Sequence, residues 1–311
     1  MKIVYFGSSK FAVPSLQALL GAGHEVLCVI TQPDKKQGRG MHLSYTPIKQ
    51  AAQELKLKIY QPLEVNDTEV VNKLKEFKPD LFVAIAYGQF LSDELLGIPK
   101  FFAINLHASL LPKYRGAAPV NWALINGERK TGNSLIKLSK KMDAGALLLQ
   151  EETKIADSET AVFLEERLSH MGVALLLNSI DAIANGRYNL TDQDESKATL
   201  APRLKKNDGL IDWSKPAQDI YNLIRGCSDW PGAFTHYKGK MLKVFQTQVI
   251  KSPDKFSPGE LVHVSNEGLS VGTGKGILLI KELQLEGKRR MPVSDFLSGH
   301  QLKNGVRIIF S

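Results

Sequence analysis

Lys2-Ile3-Val4-Tyr5-Phe6 is an apolar run behind a single charge, Gly7-Ser8-Ser9 is a turn, and Glu25-Val26-Leu27-Cys28-Val29-Ile30-Thr31 is a second apolar run. Between them Pro14 opens a helix that carries Val13, Leu16, Leu19 and Leu20 on one face, and Gly21 and Gly23 end it. Two buried strands joined through a helix must pair in parallel, because a tight turn cannot make that connection. The fold class is therefore α/β with a parallel-rich sheet. A dinucleotide fingerprint opening at Gly7 would need two further glycines, and Ser9 and Ala12 stand in their places.

Downstream the same alternation continues. Helices are expected over 47–55 and 67–77, and strands over 58–60 and 80–86. The latter strand ends at Tyr87-Gly88, on the carboxyl side of the sheet, where open α/β sheets bind ligands. The apolar run Phe101-Phe102-Ala103-Ile104 begins another strand, and two polar residues then interrupt it, Asn105 and His107. Strand side chains alternate, so these two leave the strand end on one face. An amide that donates to a developing oxyanion and an imidazole that moves a proton are what chemistry at a carbonyl needs. Taken alone, Asn-x-His is more often a satisfied polar pair. An irregular loop follows, punctuated by Pro112, Gly116 and Pro119 and carrying Lys113 and Arg115.

The longer string Asn105-Leu-His-Ala-Ser-Leu-Leu-Pro-Lys-Tyr-Arg-Gly-Ala-Ala-Pro119 resembles the signature of the 10-formyltetrahydrofolate-dependent formyltransferases. Asp143, in Met142-Asp143-Ala144-Gly145, resembles the Asp-x-Gly that completes that family's site. The resemblance implies a Rossmann-like formyltransferase domain with Asn105, His107 and Asp143 as the catalytic set. It also implies 10-formyltetrahydrofolate as formyl donor, held near Tyr87 and by Ser109, Leu110, Leu111 and Pro112, with no metal. The turn Gly7-Ser8-Ser9-Lys10 departs from the family's usual Gly-Thr-Pro, and Lys140 and Lys141 stand where an acidic residue is usual.

Residues 32–43 form a long polar stretch with Lys35, Lys36 and Arg39, and long loops in compact domains are usually functional. It resembles the basic loop of the family branch that formylates the α-amine of Met on initiator tRNA, where it reaches the acceptor end. Lys35, Lys36 and Arg39, together with Lys205 and Lys206, are then the expected tRNA contacts, and initiator Met-tRNA the expected partner. The alternative within the same family is an amino-sugar nucleotide as acceptor. A module that binds folate or RNA without turnover is the alternative outside it, and the complete catalytic set argues against it.

Residues 131–137 and 147–151 are expected strands, and a long helix capped by Asp157 or Ser158 ends at Asn185-Gly186. This gives a catalytic domain over 1–189 and a polar linker over 190–212. After a helix over 216–226 the period becomes two, with strands expected over 233–237, 241–250, 259–264, 269–272 and 277–284. A short helix over 292–297 and a closing strand over 306–310 complete a small OB-like β-barrel over 213–311. Trp230-Pro231-Gly232-Ala233 and Lys281-Glu282-Leu283-Gln284 resemble the C-terminal domain of the same family branch, which implies that this domain binds tRNA.

Charge divides along the same boundary. Residues 201–311 hold 17 Lys and Arg against 10 Asp and Glu, whereas residues 1–200 hold 23 against 22. A basic second part suits a polyanion. An apolar fraction of 43% with 23% charged residues is that of an ordinary globular chain, and no apolar run approaches the ~18 residues of a membrane span. Two cysteines far apart, Cys28 and Cys227, give neither a disulfide framework nor a metal site. A cytoplasmic monomer is expected.

Overall fold

The two apolar runs that open the chain become strands at the centre of a seven-stranded sheet. The computed structural model describes residues 1–37, 42–302 and 304. The sheet strands are β1 (Lys2–Gly7), β2 (Glu25–Ile30), β5 (Ile59–Tyr60), β6 (Leu81–Ile85), β7 (Ala103–His107), β8 (Lys130–Lys137) and β9 (Leu147–Lys154); the short β3 (Lys35–Gln37) and β4 (His42–Ser44) lie outside it. Their order is β5-β2-β1-β6-β7-β8-β9. From β5 to β7 every pairing is parallel, and β8 and β9 continue antiparallel.

The strand order reverses between β1 and β6, the kind of switch point at whose carboxyl ends open α/β sheets bind ligands. The helices that return the chain are α1 (Val13–Gly21), α2 (Pro47–Glu54), α3 (Thr68–Glu76) and the short α4 (Asp93–Leu96). Val4, Phe6, Cys28, Ile30, Phe82 and Ala84 pack on one face of the sheet with Val71, Leu74 and Leu95. Phe6 meets Phe82 edge to face at 5.0 Å.

Residues 32–43 are more ordered at their base than a plain loop. β3 and β4 pair as an antiparallel hairpin, with Lys35 opposite Ser44. Asp34, just before it, accepts a hydrogen bond from Gln61 at 2.8 Å and pairs with Lys49. The strands carry a single apolar residue, Leu43, so no apolar alternation announces them. Arg39 lies outside the described residues.

α6 (Ala161–Ala184) begins later than the expected caps. The Glu159 amide donates to the Ala156 carbonyl and the Glu159 carboxylate accepts from the Ala156 amide, so a turn occupies 156–159. Its apolar stripe is Leu164, Leu168, Leu175, Leu176 and Ile180, all buried, whereas Phe163 points outward at 65% exposure.

The chain divides into two compact units that are not contiguous in sequence. One comprises Met1–Ala117, Lys130–Lys154 and Glu165–Ala201, and the other Ala118–Arg129, Ile155–Leu164 and Pro202–Ser311. Residues 190–212, expected as a linker, are shared between them. Thr191 bridges to Leu147 in the first unit, while Ile211 and Trp213 enter the core of the second. A polar composition reads as a linker when its hydrogen-bond partners are remote in sequence.

The second unit holds α5 (Pro119–Ile125), α7 (Ala217–Gly226), α8 (Val293–Gly299) and two four-stranded antiparallel sheets. One contains β10 (Phe234–Tyr237), β11 (Lys240–Val244), β16 (Glu282–Leu285) and β17 (Met291–Pro292). The other contains β12 (Thr247–Ile250), β13 (Leu261–Ser265), β14 (Gly268–Gly272) and β15 (Ile277–Ile280). Both sheets contribute to one core with Trp213, Ile220, Leu242, Leu261, Leu278 and Phe296.

Two strands expected as continuous are each broken where the chain passes from one sheet to the other. The breaks are paired, with Phe245 donating to the Glu282 carbonyl (3.0 Å) and Lys281 to that of Gln246 (2.8 Å). The core-facing alternation shifts phase at each break, from Leu242 and Val244 to Val249 and from Leu278 and Ile280 to Leu283 and Leu285. The expected closing strand over 306–310 lies outside the described residues.

Among the described residues no helix is long and apolar enough to cross a membrane, and no group of His, Cys, Asp and Glu could hold a metal ion. Cys28 and Cys227 are fully buried, and burial pushes both thiols up to about 12. Neither should react with a thiol-specific reagent at pH 8 in the native protein. Both should titrate once the chain is unfolded, which a colorimetric thiol assay with and without denaturant measures directly.

Candidate active site

β7 carries Asn105 and His107 on the same face, two residues apart, at the carboxyl end of the sheet. Parallel β6 pins Asn105 opposite Ala84, and antiparallel β8 pins His107 opposite Ser134. His107 is buried, and its Nε2 lies 2.9 Å from the Tyr114 carbonyl. A carbonyl only accepts, so Nε2 carries a proton. Nδ1 then faces the Asp143 carboxylate, 3.6 Å from Oδ2. The other carboxylate oxygen accepts from Asn105 Nδ2 at 3.4 Å. Oδ2 also accepts the Gly116 amide at 2.9 Å. The strand pair, the 108–117 loop and the loop between β8 and β9 therefore meet on one carboxylate.

The Asp-x-Gly pattern has a steric cause. A Cβ on Gly145 would lie 1.7 Å from the Lys137 carbonyl oxygen, so only glycine lets the loop close against β8. Asp143 itself sits at φ +50, a left-handed conformation that is uncommon outside glycine and must be held by its surroundings. Gly116 is held likewise: its φ is +127, and a Cβ there would meet the Ala201 carbonyl at 2.6 Å.

Arg115 lies between these features and is buried. Its Nε and Nη2 donate to Gln193 Oε1 at 3.0 and 2.8 Å. Nη1 and Nη2 also grip Glu195 at 3.1 and 2.8 Å. Gln193 Nε2 in turn donates to the carbonyls of Asp143 (2.8 Å) and Gly145 (2.7 Å). Sequence reading places Arg115 merely on a basic loop and leaves Gln193 and Glu195 inside a linker. The position of Arg115 inside the long motif, next to Gly116, was the available signal; Gln193 had none.

The chain matches known proteins across both units. The formyl transferase family model matches residues 1–180, and that of the formyl transferase C-terminal domain matches residues 203–301. The chain belongs to the formyl transferase family. It is 45% identical over 305 residues to the methionyl-tRNA formyltransferase of Alkaliphilus oremlandii, covering 98% of each chain. It is 44% identical over 304 residues to that of Clostridium novyi, covering 97% of this chain and 98% of the relative.

Among solved structures, an N-formyltransferase from Helicobacter canadensis in complex with folinic acid and dTDP-3-aminofucose superimposes with a TM-score of 0.68. The match covers 94% of this chain and all of that one, at 20% identity. HypX from Aquifex aeolicus in complex with tetrahydrofolic acid gives 0.64 at 18% identity. That match spans 96% of this chain and 47% of the HypX chain. These two likenesses concern the fold.

The positions expected to hold the donor in a formyl transferase lie at the same end of the sheet. Ser109 is fully buried; its hydroxyl donates to the Lys113 carbonyl (2.7 Å) and its carbonyl accepts from Ser134 (2.6 Å). Leu111 donates its amide to Ser134 at 3.0 Å and accepts from Gln150 at 2.8 Å. Ser109, Leu110, Leu111 and Pro112 thus form a loop braced from β8 and β9, which offers shape and main chain rather than free hydroxyls.

The Tyr87 ring is buried against Phe6 at 5.6 Å, and burial pushes its phenol up. Its main-chain carbonyl accepts from the Ser8 hydroxyl at 2.9 Å, tying the turns after β1 and β6 together. At this spot the buried Gln32 Nε2 has no hydrogen-bond partner among the described residues, and it lies 4.0 Å from where a Cβ on Gly88 would stand. An unspent donor beside a Cβ-free backbone fits a flat polar heterocycle such as a pterin. Lys35 is exposed in the first unit, and Lys205 and Lys206 are exposed in the second.

The hydrogen bond from Arg115 holds the half-exposed Glu195 carboxyl below the usual carboxylate range. A depressed folded-state pKa contributes stability that is present above the unfolded value of ~4.3 and is lost as pH falls through the folded one. Wild type should therefore melt above Glu195→Gln by a margin that is constant from pH 8 to 6 and closes below about pH 4. A pH series of thermal melts of both proteins checks this.

Proposed function

We propose that this chain transfers the formyl group of 10-formyltetrahydrofolate to the α-amine of methionine esterified to initiator tRNA. The observation that carries the reading is identity of 42–45% along essentially the whole chain to methionyl-tRNA formyltransferases. The amino-sugar alternative has fold likeness near 20% identity behind it. The deciding assay offers both acceptors, charged Met-tRNA and an amino-sugar nucleotide, with the same donor. Formylation of the sugar alone overturns the reading.

10-Formyltetrahydrofolate supplies the activated one-carbon group, and the Ser109–Pro112 loop, the backbone after Tyr87 and the free Gln32 amide are the groups that would hold it. Asn105 spends one N–H on Asp143 and has the second for the oxygen that becomes negative when the amine attacks the formyl carbon. His107 has two acceptors facing its two nitrogens, so a doubly protonated ring satisfies both and brings positive charge beside that oxygen. Asp143 orients both side chains and completes the charge balance. This geometry supports the electrostatic role for His107, because a proton shuttle requires Nδ1 to turn from Asp143. Lys35, Lys36, Arg39, Lys205 and Lys206 are the proposed contacts to the tRNA backbone.

Asp143→Asn is near-isosteric and keeps two acceptor or donor positions while removing the charge. Its kcat should fall by at least ~10²-fold, the scale of a lost acid–base or electrostatic partner. Stopped or steady-state formylation by a folded variant at near-normal rate would exclude Asp143 from the chemistry.

Arg39→Ala should lower kcat/KM for Met-tRNA by at least about tenfold, the loss of one charge-assisted phosphate contact. It should also reduce the salt slope of tRNA binding by roughly one and leave the donor KM unchanged. A change confined to the donor KM would show that the hairpin serves folate instead.

A further inference from the structure

Gln193 uses all of its hydrogen-bonding capacity in one place. Its Oε1 accepts two N–H groups of Arg115, and its Nε2 donates to two carbonyls, those of Asp143 and Gly145. The amide orientation follows from chemistry, since a guanidinium only donates and a carbonyl only accepts. The two carbonyls belong to the residues on either side of Ala144, so one side chain fixes the whole Asp-x-Gly turn. That turn carries Asp143 at φ +50, a conformation it leaves unless something retains it.

The same segment of chain also ties down the second arm of the site. Thr199 accepts the Arg115 amide at 2.9 Å, and its hydroxyl accepts the Tyr114 amide at 2.8 Å. Tyr114 is the residue whose carbonyl orients His107. Arg115 is held from its other side by Glu195.

We propose that Gln193 is a positioning residue for formyl transfer: anchored by Arg115, it locks the Asp143 turn directly at the distance from Asn105 and His107 that the reaction needs. It touches none of the three catalytic side chains and acts only through the backbone of Asp143 and Gly145. No other residue type serves both partners. Glutamate keeps the acceptor for Arg115 but replaces the donating nitrogen by an oxygen that faces two carbonyl oxygens. Alanine removes both halves. The proposal rests on the functional reading above.

The test uses the full-length chain and compares Gln193→Ala and Gln193→Glu in the wild-type and Asp143→Asn backgrounds. Formylation kinetics are read alongside thermal melts. In the wild-type background each variant should lose about tenfold or more in kcat, with the donor KM within about threefold. In the Asp143→Asn background the same substitutions should cost less than about twofold, because a residue acting only through Asp143 has nothing left to position.

Equal losses in both backgrounds overturn the proposal, as does a change in KM alone. Retention of wild-type kcat by Gln193→Glu overturns it too, since Gln193 would then serve Arg115 only. If Gln193→Ala does not fold, Gln193→Glu, which keeps a partner for Arg115, decides. The wild-type choice between Met-tRNA and an amino-sugar nucleotide tests the functional reading separately. The ratio of variant to wild type, measured with whichever acceptor is used, tests Gln193.

Discussion

One carboxylate, that of Asp143, takes hydrogen bonds or close charge from Asn105, His107 and the Gly116 amide. Those groups come from a strand and from the loop after it, while Asp143 itself sits on a turn nearly forty residues beyond Asn105. A carboxylate with little exposure to water needs such donors, because an uncompensated buried charge is costly. The need works in both directions: the charge draws the donors together, and the donors fix where the charge can sit. The parallel sheet supplies the frame, placing β7 beside β6 so that the two polar residues emerge where the strands end.

Holding the carboxylate there requires a backbone that would not choose its own conformation. Asp143 and Gly116 both have positive φ, and Gly145 and Gly116 both pass too close to neighbouring carbonyls for a side chain. Strain of this kind persists when the surroundings over-determine it. Here the surroundings are a saturated polar network of Arg115, Gln193 and Glu195 rather than apolar packing. Every donor and acceptor of the Gln193 amide is matched, and a fully satisfied buried network specifies one arrangement where an apolar contact would allow several.

The second unit solves a different problem. Its basic excess needs a stable platform, and the platform is two small antiparallel sheets around one apolar core. The paired breaks at Phe245-Gln246 and Lys281 let two neighbouring chain segments leave one sheet and join the other together. Main-chain hydrogen bonds between the two segments cross the corner. Chain from 118–129 and 155–164 is drawn into this unit, which shows that compactness is not set by order along the chain.

The α/β class, the strand that presents Asn105 and His107, and the family could be read from residues 1–31 and 101–122, because apolar runs, strand alternation and a long motif are local signals. Asp143 could be placed only through the motif, since nothing in residues 138–146 by themselves says where that turn folds to. The role of Gln193, the shared fate of residues 190–212 and the hairpin at 35–44 were decided by tertiary structure. In each case the partners lie far away in sequence or are main-chain groups, and composition carries no record of a backbone carbonyl forty-eight residues distant. The sequence by itself determined which residues could do the chemistry; only the folded chain decided which polar side chains hold them in place, because hydrogen-bond satisfaction is a property of three-dimensional neighbours.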